Sequence, residues 1–236
     1  MDRKNPFEPR EIVGRRNRPA KAPLDRDTIV GVALDLLTRE GASGLSLRKV
    51  ALALDTGAAS LYVYVASLQE LETLVLDRAL ADVALPARRR GPWRARLGAV
   101  LRSYCDVLYQ RRGLAQLAMR TMAAGPNTLA VVEVLLGLLD EAGLAPAAAG
   151  LAVDLLMLHV TAVAAEQSNW RERADVIGPV AVAIADVSRD AYPRIHALRA
   201  ELMYGGPSRF PWAIDVLING LLHTPPPDLD PSKESP

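Results

Sequence analysis

The sequence predicts an all-α protein, and three observations carry that prediction. Half of its 236 residues are hydrophobic but only 5% are aromatic, so the core must be built from Leu, Val and Ala, a composition that favours helices. Apolar residues recur at i, i+3, i+4 and i+7 in segment after segment, and capping residues, Gly or Pro punctuate those segments. No strand-like alternation rises above noise.

Residues 1–23 carry Arg10, Arg15, Arg16, Arg18 and Lys21 among Pro6, Pro9, Pro19 and Pro23, with no period. They read as a flexible basic arm. It is either a solubilising tail or an arm that touches DNA phosphate or the minor groove. A first helix follows over about 26–40, with Ile29, Val32, Ala33, Leu36 and Leu37 on one stripe. Asp25 or Asp27 can cap it, and Gly41 supplies its stop.

Ser46 to Val65 reads as two short helices around the turn Asp55-Thr56-Gly57. Ser46 can cap the first of them, and Leu47, Val50, Ala51 and Leu54 fall on its inner face. The second runs over 58–65 with Leu61 and Val65 inward, leaving Ala58, Ala59, Ser60, Tyr62 and Tyr64 outward. A thin polar outer face suits a helix laid in a DNA major groove. Ser67-Leu68-Gln69-Glu70 is a capping box, and Leu71, Leu74, Val75 and Ala79 continue as a fourth helix.

Pro86 to Pro92, holding Arg88-Arg89-Arg90, breaks the chain between a head, 24–80, and a body, 86–223. The triple Arg reads as a solvated loop. The body shows helices at about 93–111, 114–124, 126–142, 146–170, 178–203 and 208–223. Ala145 to Ala165 is nearly all apolar, which predicts a helix buried on most sides. On the last helix Ile214, Leu217, Ile218, Leu221 and Leu222 form a wide apolar stripe, either a subunit interface or intramolecular core. Residues 224–236 are a Pro-rich disordered tail.

The net charge is +1, which is not the footprint of a strongly basic nucleic-acid binder. Its distribution says more. Residues 1–24 hold seven basic and three acidic groups (+4), and residues 25–80 hold five basic and eight acidic (−3). The arm, not the helical head, supplies the positive charge. The single cysteine, Cys105, excludes an internal disulfide and fits a reducing cytoplasm. No run of 18 apolar residues lacks charge and no signal peptide opens the chain, so we expect no membrane partner.

Leu45-Ser46-Leu47-Arg48-Lys49-Val50-Ala51, followed by Leu61-Tyr62-Val63-Tyr64-Val65, resembles the helix-turn-helix of the tetracycline-repressor (TetR) family. The likeness is nearly gap-free over Leu24 to Leu80 and looser to about His223. Trp93, Gly113, Gly143-Leu144 and Pro211 to Leu221 sit where that family's body has similar residues. The resemblance implies a ligand-responsive repressor that binds a palindromic double-stranded operator as a homodimer and is released by a small-molecule effector. It implies that residues 146–170 and 208–223 pack on a second copy, with Ile214, Leu217, Ile218 and Leu221 at the contact.

The DNA-binding set expected on this basis has three parts. Arg15, Arg16, Arg18 and Lys21 come from the arm. Ser46, Arg48 and Lys49 come from the first short helix. Gly57, Ala58, Ala59, Ser60, Tyr62 and Tyr64 come from the second. Arg48 is the candidate base reader, because a guanidinium grips a guanine edge bidentately; the alternative is a phosphate or surface Arg. The Tyr hydroxyls suit phosphates. Gly57, Ala58 and Ala59 let main-chain N–H groups approach one. Two departures stand out. Asp55 replaces a common Gly in the turn, a residue that can still adopt the left-handed conformation. Leu68 replaces a Lys that reaches phosphate, which shifts that load to the arm.

No catalytic motif is present: no Gly-x-Ser-x-Gly, no Gly-x-Gly-x-x-Gly and no P-loop. His159, His196 and His223 make no zinc spacing, so neither metal nor cofactor is expected. Cys105 reads as a buried inert thiol. His159 and Glu166 lie two turns apart on one face; a ligand pair is conceivable, a hydrogen-bonded core histidine is the default. For an effector site the candidates are Tyr104, Met119, Arg120, Met157, His159, Gln167, Asn169 and Trp170, the polar, soft or aromatic groups of the body. Leu117, Val100 and Asp82 stand where tetracycline-binding members place polar drug contacts, so a metal–tetracycline chelate is not expected. An apolar, aromatic or polycyclic ligand is. The alternatives are an effector-independent DNA-binding architectural protein and a helical enzyme reusing the body pocket.

Overall fold

A computed structural model describes residues 24–86, 91–172, 174–203 and 205–228. The expectations for the arm, the triple Arg at 88–90 and the tail beyond 228 therefore lie outside the described residues. Among those described, every regular element is helical.

The chain opens with α1 (Arg26–Glu40), capped by Asp25, whose Oδ1 accepts from the Thr28 N–H at 2.7 Å. Its stop is Gly41, at φ 71°, followed by a 3₁₀ turn over Gly41–Gly44. The next helix, α2 (Leu47–Ala53), is capped by Ser46, whose Oγ accepts from the Lys49 N–H at 3.2 Å. Asp55 then takes φ 49°, so the left-handed turn position is filled by Asp, as the departure from Gly requires. The second short helix is shorter than the expected 58–65: α3 (Ala58–Leu61) ends at Leu61 and the chain continues as turns, held by the Tyr64 and Val65 N–H groups on the Leu61 carbonyl. Leu61 and Val65 are fully buried, as their spacing predicts. In α4 (Leu68–Leu80) the capping box forms in altered form. Ser67 Oγ accepts from the Glu70 N–H, and Glu70 Oε2 accepts from the Ala66 N–H, one residue before the cap.

The body comprises α5 (Trp93–Gln110), α6 (Leu114–Ala118), α7 (Pro126–Glu141), α8 (Pro146–Glu172), α9 (Ala174–Ala185), α10 (Pro193–Ala197), α11 (Arg199–Leu202) and α12 (Arg209–His223). Three expectations change here. The helix expected over 114–124 stops at Ala118; Leu114, Ala115 and Leu117 are buried, whereas Met119 and Met122 are 49% and 94% exposed. The helix expected over 178–203 is three pieces, broken where Ser188 caps the turn before Pro193, which has no N–H to continue a ladder. Finally, α8 is not buried on most sides. Leu151, Leu155 and Leu158 are 40%, 40% and 56% exposed, a stripe on one face. Over Pro146–Arg171 this helix is long and apolar enough to cross a membrane, yet α5, α6, α7 and α12 pack against its other face.

One continuous buried cluster runs from Ile29 and Val50 in the head to Leu156 and Ile218 in the body. The head is seated on the body through α4, which contacts α5, α6 and α7. Gly113, at φ 74°, opens α6 against the end of α1; a Cβ there would lie 2.8 Å from the Ala42 nitrogen, so only glycine permits this approach.

Candidate functional site

Two sites and the joint between them emerge. On the head, α2 and α3 present an outer face of Arg48, Ser60 and Tyr62, all exposed. Ala59 and Gly57 are exposed beside them, and Ala58 is half-buried. Tyr64 is half-buried against the core, so its ring is part of the packing and less of it faces outward than the spacing implies. Ser46 spends its hydroxyl on the helix cap. The ammonium of Lys49 is committed within the head, donating to Glu40 Oε2 at 2.6 Å and to the Ser43 carbonyl at 2.9 Å. That hydrogen bond, and the ammonium's charge, hold Glu40 below the usual carboxylate range. The outer face also carries two apolar groups that sequence reasoning passed over, Leu52 (79% exposed) and Val63 (51%). Leu52 was legible, lying one turn from Arg48 and off the inner stripe. Arg15, Arg16, Arg18 and Lys21 lie outside the described residues.

The joint rests on two carboxylates of α4 that are buried. Asp77 caps the first turn of α7. Its Oδ1 accepts from the Thr128 N–H and hydroxyl, each at 2.8 Å, and its Oδ2 accepts from the Asn127 side-chain amide at 3.0 Å and the Asn127 N–H at 3.4 Å. Glu72 accepts from Arg120 at 2.6 Å. Arg120 is therefore a tie between head and body, not a cavity group.

The second site is a cavity of about 470 Å³ between α5, α8 and the start of α12, lined in part by Arg102, Tyr109, His159, Gln167, Trp170, Arg171, Arg209 and Phe210. Of the eight groups expected there, His159, Gln167 and Trp170 line it. The other five do not. Tyr104 is buried with its hydroxyl on Thr161 Oγ1 at 2.9 Å, and burial pushes its ionisation up. Met157 is half-buried against the core, Met119 is exposed, and Asn169 accepts from Gln116 at 2.9 Å. Glu166 pairs with Arg209 at 3.4 Å. Three guanidinium groups stack on three rings around this cavity: Arg102 over Phe210 at 3.7 Å, Arg171 over Tyr109 at 4.6 Å and Arg209 over Trp170 at 5.8 Å. Sequence reasoning missed them because these arginines are scattered over residues 102–209 and resemble any solvated cation. Burial, and then the Arg209 charge, lower the His159 pKa, so the ring is neutral at pH 7. Its Nε2 is out of contact with water and has no hydrogen-bond partner among the described residues. A second cavity of about 440 Å³ lies beyond the Arg102–Phe210 pair, which lines both.

Two of the four interface residues expected on α12 lie inside the protomer. Ile214 and Ile218 are 3% and 2% exposed and belong to the protomer's own core. Leu217 and Leu221 are half-buried against the same core. The exposed apolar groups of α12 are Trp212 (68%) and Val216 (48%), on the helix that packs beside α8. Cys105 is buried, and burial pushes its thiol up to about 11.

Residues 85–224 match the family described as the tetracyclin repressor-like C-terminal domain. An HTH-type transcriptional regulator of Saccharopolyspora erythraea is 35% identical over 156 residues, 65% of each chain. The HTH-type transcriptional repressor DrrR1 of Streptomyces coeruleorubidus is 34% identical over 159 residues, 66% of this chain and 59% of the relative. The matches thus span less than two thirds of those relatives' lengths. Apo ActR from Streptomyces coelicolor superposes with a TM-score of 0.78 at 34% identity, covering 86% of this chain and 97% of ActR, and ActR has also been solved in complex with actinorhodin.

Proposed function

The chain belongs to the tetracycline-repressor family of transcriptional regulators, and on that footing we propose that it is a ligand-released repressor acting as a homodimer on a palindromic DNA site. The observation that carries this reading is a cavity in the body joined to the head by two buried carboxylates of α4.

The head, residues 24–80, reads DNA with Arg48 and Ser60, with Tyr62 on the backbone and Leu52 and Val63 against thymine methyl groups. Lys49, engaged with Glu40, contributes little. The basic arm, Arg15, Arg16, Arg18 and Lys21, supplies the phosphate charge that a −3 head lacks. In the body, residues 86–223, the exposed stripe of α8 (Leu151, Leu155, Leu158) and Trp212 and Val216 of α12 meet their symmetry mates, giving a two-fold contact. An effector enters the cavity and favours a state in which α4 sits differently on α6 and α7, so the two heads no longer match one operator. The ligand-bound ActR structures support ligand response in a relative of this size and fold.

The test is a small-molecule thermal-shift screen followed by DNA binding on a selected palindrome. A compound that stabilises the protein and lowers DNA affinity supports the proposal. Stabilising compounds that leave DNA affinity untouched leave an effector-independent DNA-binding protein.

A further inference from the structure

We propose that the body cavity takes a planar aromatic ligand bearing an anionic group, such as an aromatic carboxylate, with Arg102 and Arg209 holding the charge. This rests on the effector reading above and names the ligand's class. Three arginines line the cavity, and among the described residues its lining contains no carboxylate. The one acidic partner among those residues is Glu166, 3.4 Å from Arg209, with both side chains partly exposed. Arg102 and Arg171 have ring contacts and, among the described residues, no ion pair there.

The geometry of those contacts matters. A guanidinium stacked on a ring uses its face, and its N–H donors lie in the plane, pointing away from the ring edge. Arg102, 3.7 Å over Phe210, is thus oriented but still has donors to give. A carboxylate accepts two of them in parallel, which a hydroxyl cannot do. The rings that orient the arginines supply the rest of the site. Trp170, Phe210 and Tyr109 offer flat apolar walls, and about 470 Å³ is within the range that encloses a drug-sized molecule. Inorganic phosphate would leave those walls unused, and a neutral polycycle would leave the cationic excess uncompensated.

The experiment is calorimetric titration of the full-length protein with 2-naphthoate, 2-naphthalenemethanol and inorganic phosphate. We expect the acid to bind about 10- to 100-fold more tightly than the alcohol, the worth of a charged hydrogen-bonded contact, and phosphate not to compete. Arg102→Gln with Arg209→Gln should abolish the preference, so that acid and alcohol bind the variant equally. Arg39→Gln, on the head, should change neither. Equal binding of acid and alcohol to the wild type overturns the charge assignment while leaving the cavity a ligand site; this arm needs no variant to fold. Phosphate displacing the acid overturns the aromatic part. Failure of both naphthalenes to bind overturns this inference together with the effector reading.

Discussion

Replacing Asp77 by Ala should loosen the whole protein and uncouple its two ends. In the structure this carboxylate is 4% exposed and takes four donors from the first turn of α7. Asn127 is half-buried, so its groups can turn to water. Thr128 is 7% exposed, and its N–H and hydroxyl would be left without an acceptor. Each buried unsatisfied donor costs about 1–3 kcal/mol, and loss of a helix cap typically costs about 1 kcal/mol. These terms overlap, and water entering the vacated space offsets part of them, so we expect roughly 2–4 kcal/mol. For a chain of this length that lowers Tm by about 5–15 °C. Asp77→Asn keeps one acceptor oxygen and should lose about half as much. The assay is thermal and urea denaturation at matched protein concentration, since a dimer's Tm depends on it. A melting point within about 2 °C of wild type would refute the reasoning that α4 is tied to α7 through this group.

Arg48→Ala should relax base preference at one position per half-site and cost about 1–3 kcal/mol, read by competition between selected and mutated operators. Deleting residues 1–21 should instead weaken operator and random DNA together. It should also flatten the salt dependence by about 0.9 in log–log slope for each phosphate that the arm neutralises. Leu155→Glu with Trp212→Glu should yield a folded monomer by light scattering, because both side chains are exposed in the protomer; Ile214→Glu should instead give misfolded protein. Cys105, with its thiol raised to about 11, stays protonated and buried at pH 8, so a thiol-disulfide reagent should label it only as the protein unfolds.

What was legible in the sequence was local. Asp25, Ser46 and Ser67 cap the helices they precede, because a cap needs only residues a few positions away. Asp55 takes the turn conformation for the same reason. The periodic stripes placed Ile29, Leu37, Leu61 and Val65 in the core. Pairings between distant segments were not legible. Asp77 and Thr128 are 51 positions apart, and nothing in either stretch marks the other. Arg120 reads as a ligand anchor for the same reason, since its partner Glu72 lies 48 positions away. The α8 stripe shows a different limit. Apolar composition tells that Leu151, Leu155 and Leu158 avoid water, and it does not tell whether the covering surface belongs to the same chain or to another. On α12, Ile214 and Ile218 of the expected stripe face the protomer's core, and the exposed apolar groups are Trp212 and Val216, which lie outside that stripe.

The central claim is that filling the body cavity releases DNA through α4. It is tested most directly by following both ends at once. A fluorescently labelled palindrome, selected from random DNA by this protein, reports binding by anisotropy. A stabilising compound is titrated in, and tryptophan emission reports its occupancy beside Trp170. We expect DNA release to track occupancy in the wild type. In Asp77→Ala, assayed below its lowered melting point, we expect occupancy with diminished release. A compound that saturates the cavity while the wild-type protein stays fully bound to its operator would contradict the account.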